Sequence, residues 1–279
     1  MGFWMSFLKP EPEKQSIVKL PIAILAAITG LGLCLAPLGL AADDSFVGKW
    51  KFNPGKSQLN GLTYKVEDAG NNQYKFAFGD GFETVSLDGK PHATKYGNTW
   101  SVTKTGPNAW HWVTKRDGKT TSDAMWTVSE DGATSLYTNT ETRADGSTSH
   151  DETKLKRTAG TTGLVGTWES TDIKIGTPAT LEMSASKKGG YSMKRPAYKE
   201  ETDFKLDGKD YTPKGPRVAK GTAVSGKKVD DRTMELTYKL NDKTIETDHW
   251  QVSADGKTLT AMLTYPGVDK QEVDVYDRE

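Results

Sequence analysis

Hydrophobic and polar residues alternate along much of the chain after residue 43. Leu62, Tyr64 and Val66 are separated by polar residues, and the same period of two runs through 234–240 and 259–265. Because successive side chains of a strand point to opposite faces, this pattern predicts antiparallel strands with one buried face. No eleven-residue window after residue 43 has helical spacing, so the sequence predicts an all-β protein.

Turn signals separate the alternating segments. An Asp-Gly pair between two such segments favours a tight hairpin, because a type I′ turn needs positive φ at both central residues. The pairs begin at Asp80, Asp88, Asp117, Asp131, Asp145, Asp207 and Asp255. Their number predicts many short strands joined by hairpins.

The alternating region repeats itself once. FVGKW at 46–50 matches LVGTW at 164–168, SLDGK at 86–90 matches KLDGK at 205–209, and WTVSEDG at 126–132 matches WQVSADG at 250–256. Matches in the same order indicate a tandem duplication. We therefore predict a first domain at 44–157, a linker at 158–163 and a second domain at 164–279.

Each copy is long enough for eight to ten strands, and a closed barrel would remove the unpaired edges of such a sheet. Each copy also begins with a Gly-x-Trp strand and ends with an arginine. Closure would place these strands side by side, with Trp50, Arg157, Trp168 and Arg278 as closing residues and an indole beneath a guanidinium. Alternatively, the tryptophans are ordinary core residues and the arginines solvated strand ends. Whether the halves close separately or merge their sheets stays open.

An uncharged apolar segment at 20–42 precedes the duplication, with Lys9, Lys14 and Lys19 before it. Together with the small residues ending at Ala41, it predicts a signal peptide over 1–41 and a periplasmic or secreted protein. The alternative is an uncleaved anchor in the inner membrane, with the domains facing the periplasm. Cys34 lies in this segment, so no disulfide is expected in the domains.

Charge and motifs exclude several functions. The chain has 37 basic and 37 acidic residues, which gives no excess charge for binding nucleic acid. The sequence contains no nucleophile-elbow, zinc-protease, phosphate-loop or EF-hand motif, and its four histidines are scattered. We therefore expect neither a cofactor nor a metal. Lys194 and Arg195 hint at an anion contact, but the acidic residues that follow favour a solvated hairpin.

These motifs resemble those of the lipocalin and fatty-acid-binding group of small β-barrels, and more narrowly the lipocalin-like domains of exported bacterial proteins. The residues that carry the resemblance are the opening at 48–57 (GKWKFNPGKS), LDGK at 206–209, SADGKT at 253–258 and YDR at 276–278. The second copy lacks the Asn-x-x-Lys-Ser stretch, and the first ends without Tyr-Asp. The resemblance implies two tandem up-and-down lipocalin-like barrels after the signal or anchor segment.

Inward-facing aromatic rows predict either an apolar binding cavity or a solid core. The lumen candidates are Tyr64, Phe76, Trp100, Trp112, Trp126, Met193, Tyr238 and Trp250. They favour a non-catalytic carrier or sensor for a lipophilic small molecule, and the sequence does not decide which copy is hollow. A second hypothesis is a non-enzymatic envelope accessory subunit, touching the membrane only through 20–42. The weakest is an enzyme, which would need a pocket carboxylate such as Asp123 or Asp248 with a raised pKa.

Overall fold

The computed structural model describes residues 44–160 and 162–279. The predicted signal or anchor segment, with Cys34, lies outside these residues. Within the described ranges the chain forms strands and one 3-10 turn, Pro196–Tyr198. In the part corresponding to the first copy the strands are β1 (Gly48–Phe52), β2 (Thr63–Gly70), β3 (Gln73–Phe78), β4 (Gly81–Ser86), β5 (His92–Ala93), β6 (Thr99–Gly106), β7 (Ala109–Arg116), β8 (Lys119–Val128), β9 (Thr134–Thr142) and β10 (Thr148–Ala159).

The second copy repeats this succession. Its strands are β11 (Gly166–Lys174), β12 (Thr180–Ala185), β13 (Tyr191–Arg195), β14 (Glu200–Phe204), β15 (Asp207–Tyr211), β16 (Thr222–Asp230), β17 (Thr233–Leu240), β18 (Lys243–Val252), β19 (Thr258–Thr264) and β20 (Glu272–Arg278). No helix in 44–160 or 162–279 has the length and apolarity needed to cross a membrane.

The strands form two ten-stranded antiparallel sheets, each curled into a nearly closed barrel. The first sheet runs β4-β3-β2-β11-β10-β9-β8-β7-β6-β5, and the second runs β14-β13-β12-β1-β20-β19-β18-β17-β16-β15. In each barrel the unpaired edges belong to consecutive strands, β4 and β5 in the first and β14 and β15 in the second. The prediction of an all-β protein with two tandem antiparallel barrels is confirmed.

The two barrels exchange their Gly-x-Trp strands. β1 pairs with β12 and β20 in the second barrel, whereas β11 pairs with β10 and β2 in the first. The predicted boundaries 44–157 and 164–279 follow the sequence copies. The hydrogen-bonded barrels are instead assembled from residues 63–174 and from residues 180–278 together with β1. Of the predicted linker, Thr158 and Ala159 belong to the end of β10, and Gly160, Thr162 and Gly163 lie between β10 and β11.

Each exchanged strand meets the arginine of the barrel that receives it. Trp168 pairs with Arg157 and Trp50 with Arg278, and in both pairs the guanidinium carbon lies 4.0 Å from the centre of the indole ring. Both tryptophan side chains are fully buried. Tryptophan–arginine pairs of the expected kind are therefore present. The expectation that each pair joins the two ends of one copy is wrong, because both pairs join residues of different copies.

The glycine of each Gly-x-Trp strand leaves room for this arginine. A Cβ atom at Gly48 would lie 2.3 Å from Nη1 of Arg278, and one at Gly166 would lie 2.6 Å from Nη1 of Arg157. Both glycines also have positive φ, 153° and 148°, a region that other residues rarely adopt. The recurring Gly-x-Trp and arginine pattern is therefore one structural unit.

The barrels touch each other in two regions. On one side the turn after β3 meets the loop after β19, where Asp80 N donates to Pro266 O at 3.0 Å and the rings of Phe78 and Tyr265 lie 5.1 Å apart. On the other side, Asp145 N donates to Ala197 O at 3.1 Å. The second region surrounds the cavity described next.

Candidate functional site

A cavity of about 330 Å³ lies where the two barrels meet. Its wall on the first-barrel side is polar and carries Thr114, Ser122, Asn139 and Asp151. These residues occupy inward positions of β7, β8, β9 and β10. Asp151 is held by Ser149 Oγ at 2.6 Å and by the main-chain N–H of Gly176 at 3.0 Å.

The wall on the second-barrel side is mainly apolar and aromatic. It includes Phe52, Leu181, Leu240, Trp250 and Tyr276, all at buried positions of their strands. The rings of Phe52 and Tyr276 lie 5.4 Å apart. Because Phe52 belongs to β1, the exchanged strand contributes directly to this wall.

Four arginines, Arg116, Arg143, Arg195 and Arg217, also line the cavity; we call them the arginine collar. They come from β7, the β9–β10 turn, the end of β13 and the loop between β15 and β16. The collar therefore exists only when distant parts of the chain are brought together.

Two members of the collar, Arg143 and Arg217, contact one carboxylate, that of Glu141. Arg143 Nε donates to Glu141 Oε2 at 3.3 Å, and Arg217 Nη1 lies 3.8 Å from Glu141 Oε1. The Tyr198 hydroxyl donates to Glu141 Oε2 at 3.2 Å. Arg116 instead donates to two main-chain oxygens, those of Tyr96 at 2.8 Å and Val218 at 3.0 Å.

The fourth member, Arg195, lies on the second-barrel side. Its side chain is only 11% exposed, and Nη1 donates to Glu200 Oε1 at 3.1 Å. Burial acts to lower the pKa of Arg195, but Glu200 and other nearby acidic groups outweigh it and raise the pKa. The expectation that Arg195 belongs to a solvated hairpin is wrong, because the barrel junction covers this end of β13.

Four buried carboxylates, Glu246, Asp248, Glu272 and Asp274, lie on β18 and β20 of the second barrel; we call them the acid cluster. None of them lines the cavity itself. Three are hydrogen-bonded to aromatic side chains: Trp250 Nε1 donates to Asp248 at 3.0 Å, Tyr265 to Glu272 at 2.9 Å and Tyr276 to Asp274 at 3.3 Å. Trp250 and Tyr276 thereby connect the cluster to the cavity wall.

Burial raises the pKa of three members of the acid cluster, Glu246, Asp248 and Glu272. Desolvation raises the pKa of Asp248 to about 6, and desolvation with the nearby charge of Asp274 raises the pKa of Glu272 to about 7. Burial and the charge of Asp248 raise the pKa of Glu246 well above its ordinary value. The enzyme hypothesis required a pocket carboxylate with a raised pKa. The pKa of Asp248 is raised, but its side chain does not line the cavity, and Asp123 lies at the surface, 2.8 Å from His111 Nε2.

Most of the predicted lumen residues lie in packed cores. In the first barrel the rings of Phe76, Trp100 and Trp112 contact one another, with centroids 4.8 Å apart for Phe76–Trp112 and 4.9 Å for Trp100–Trp112. Trp126 lies 6.3 Å from the ring of Trp168. The buried core cluster also contains Tyr64 and Met193.

Tyr238 and Trp250 are the two predicted lumen residues that line the cavity. The sequence reasoning missed the arginine collar and most of the acid cluster. The arginines of the collar are scattered over more than one hundred residues and give no local signal. Buried carboxylates in an alternating strand give the same sequence pattern as carboxylates on an exposed strand face. The Lys194–Arg195 pair was the one available hint.

Comparison with known proteins gives no match: no family model, curated protein or solved structure is similar to this chain. Among residues 44–160 and 162–279, no group of three or more histidine, cysteine, aspartate or glutamate side chains is arranged to hold a metal ion. The function is therefore argued from the cavity.

Proposed function

We propose that this protein is an exported, non-catalytic carrier or sensor that binds one small molecule with an apolar body in the cavity between its barrels. The observation that carries the proposal is the cavity itself: its volume of about 330 Å³ lies within the range of about 300–1,000 Å³ that is typical of ligand pockets. The resemblance to lipocalin-like domains of exported proteins supports the same conclusion.

The two walls favour a ligand with distinct ends. Aromatic and aliphatic side chains such as Phe52, Leu181 and Trp250 would cover an apolar part, and removing that surface from water drives binding. Opposite them, the Asn139 amide nitrogen and the Tyr96 hydroxyl are buried and have no hydrogen-bond partner among the described residues. Such groups are costly to bury, which favours polar ligand atoms or water on that side.

The proposal can be tested with N-phenyl-1-naphthylamine, an uncharged dye that fluoresces in apolar surroundings. We expect saturable binding of about one dye per chain. Ala179→Trp should weaken it at least tenfold, because Ala179 lines the cavity and the indole would fill it. Ala133→Trp, at an exposed turn position, is the matched control and should bind as the unchanged protein does.

Circular dichroism would verify that both variants remain folded. Equal affinity of the two variants would place the dye elsewhere and contradict the proposal, as would the lack of saturable binding to the unchanged protein.

A further inference from the structure

We propose that the cavity binds the anionic head group of an amphipathic ligand between Arg116 and Arg217, at the junction of the two barrels. The head group is a carboxylate, sulfate or phosphate. This inference rests on the proposed function and specifies the charge of the ligand.

Arginines outnumber carboxylates among the residues that line the cavity. Its lining contains the four members of the arginine collar and three carboxylates, Glu141, Asp151 and Glu200. Glu141 contacts Arg143 and Arg217, and Asp145 lies close enough to interact with the charges of the same two arginines. Within the described part of the chain, no carboxylate forms an ion pair with Arg116. A bound anion would therefore supply the negative charge that Arg116 does not receive from a side chain.

Neutral main-chain acceptors hold Arg116 in place without cancelling its charge. The carbonyl oxygens of Tyr96 and Val218 each accept one N–H. A guanidinium has five N–H donors, so three remain for a ligand. Because its geometry is already fixed, Arg116 would lose little conformational freedom when an anion binds.

Arg217 brings a second guanidinium from the other barrel. It lies next to Val218, whose carbonyl Arg116 binds, and it donates to the main-chain oxygen of Thr142. Burial lowers the pKa of Arg217, the charges of Glu141, Tyr198 and Asp145 act to raise it, and the charge of Arg116 adds to the lowering. Because Arg116 and Arg217 line the same cavity, an anion could accept hydrogen bonds from both guanidinium groups.

The same cavity continues to the aromatic wall of the second barrel, where Phe52 and Trp250 lie. An anion alone would leave that wall uncovered, and a purely apolar molecule would leave the arginine charges uncompensated. An amphiphile with an anionic head satisfies both ends. Its head group would contact residues of both barrels.

Four probes with the same alkyl chain test the inference: decyl sulfate, decanoate, decanol and decylammonium. Each is used below its micellar concentration to displace N-phenyl-1-naphthylamine from the full-length protein. We expect decyl sulfate and decanoate to bind at least tenfold more tightly than decanol, and decylammonium to bind no better than decanol. Raising the salt concentration should weaken only the two anions.

Variants of the two arginines localise the effect. Arg116→Gln and Arg217→Gln should each weaken decyl sulfate and decanoate about tenfold and leave decanol unchanged, while Arg116→Lys should retain part of the preference. Arg232→Gln, at an exposed turn, is the control and should have no effect. Unchanged binding of decanol shows at the same time that the variants fold.

The possible failures are distinguishable. If decanol binds as tightly as the anions, or if both glutamine variants retain the preference, the inference is wrong while the cavity still binds ligands. Preference for decylammonium overturns it as well. If no probe displaces the dye and the dye itself does not bind, the proposed function fails.

Discussion

The exchange of strands can be tested by measuring the coupling free energy between each tryptophan and its arginine. Arg278 stacks 4.0 Å above the ring of Trp50, while its three nitrogens donate to the main-chain oxygens of Gly256, Val47 and Ser45. We predict that Trp50→Leu and Arg278→Gln are energetically coupled in a double-mutant cycle. Trp50→Leu and Arg157→Gln, which act in different barrels, should be additive.

The magnitudes follow from the contacts. Arg278→Gln loses the stacking contact and most of the three hydrogen bonds, so we expect it to lower the free energy of unfolding by about 2–4 kcal/mol. The coupling with Trp50→Leu isolates the stacking contact and should be about 1 kcal/mol. Arg157 makes the same set of contacts, to Gly132, Val165 and Gly163, so Arg157→Gln should cost a similar amount.

Urea unfolding of the single and double variants, followed by circular dichroism and tryptophan fluorescence, provides the assay. Pairs that share no partner are additive to within about 0.5 kcal/mol, so a coupling near 1 kcal/mol is resolvable. If Trp50 coupled to Arg157 and not to Arg278, each barrel would contain its own first strand. That result would refute the exchanged topology.

Three further predictions concern the acid cluster, the strand pairing and the first-barrel core. Burial raises the pKa of Glu272 from 4.5 to about 7, so the folded protein should lose stability as pH rises between these values. Glu272→Gln should therefore be more stable than the unchanged protein by about 3 kcal/mol at pH 8 and equal to it near pH 4. Urea unfolding across this range measures the difference, and a pH-independent difference would contradict the assignment. Lys51 and Asp277 are antiparallel partners, so in a Cys34→Ser background the pair Lys51→Cys and Asp277→Cys should form a disulfide on oxidation. The pair Lys51→Cys and Lys156→Cys should not. Mass analysis of peptides identifies the disulfide, and a disulfide in the second pair but not in the first would exclude the β1–β20 pairing. Trp112→Ala removes a side chain that is 2% exposed and should lower the free energy of unfolding by about 3–5 kcal/mol without changing the dye affinity. Urea unfolding and dye titration measure the two effects. Loss of dye binding in the folded variant would indicate that the dye binds inside the first barrel.

The strands could be predicted because their burial follows the alternation of the sequence. Met234, Leu236 and Tyr238 are buried and face the barrel interior, as the period of two requires. The Asp117-Gly118 turn has positive φ at both residues, 48° and 74°, as a type I′ hairpin does. The same geometry occurs at 71–72 and 241–242, where asparagine and aspartate take the place of Asp-Gly.

The strand exchange could not be predicted, because the two Gly-x-Trp strands are nearly interchangeable. Trp50 Nε1 donates to Phe46 O and Trp168 Nε1 to Leu164 O, at 3.0 and 2.9 Å, so each strand makes the same local contact. The deciding feature is chain connection: a short turn lets β11 pair at once with β10, and short loops cost the least entropy to close. β1 is then left to complete the second barrel beside β20.

The cavity was beyond prediction for a related reason. Its position depends on how one barrel docks on the other, and its charged residues are far apart in the sequence, as Arg116 and Arg217 are. The aromatic residues predicted to face inward are buried, but inward positions do not distinguish a filled interior from an open one. Trp126 and Trp250 occupy matching positions of the two copies, and of these two Trp250 lines the cavity.

Native mass spectrometry of the protein isolated from its own cells would show whether the cavity is occupied. We expect one bound molecule per chain, an amphiphile with an anionic head, that is lost from the Ala179→Trp variant and retained by Ala133→Trp. A protein that carries no ligand as isolated and takes up neither decyl sulfate nor decanol when they are added would contradict the claim that the cavity between the barrels is a binding site.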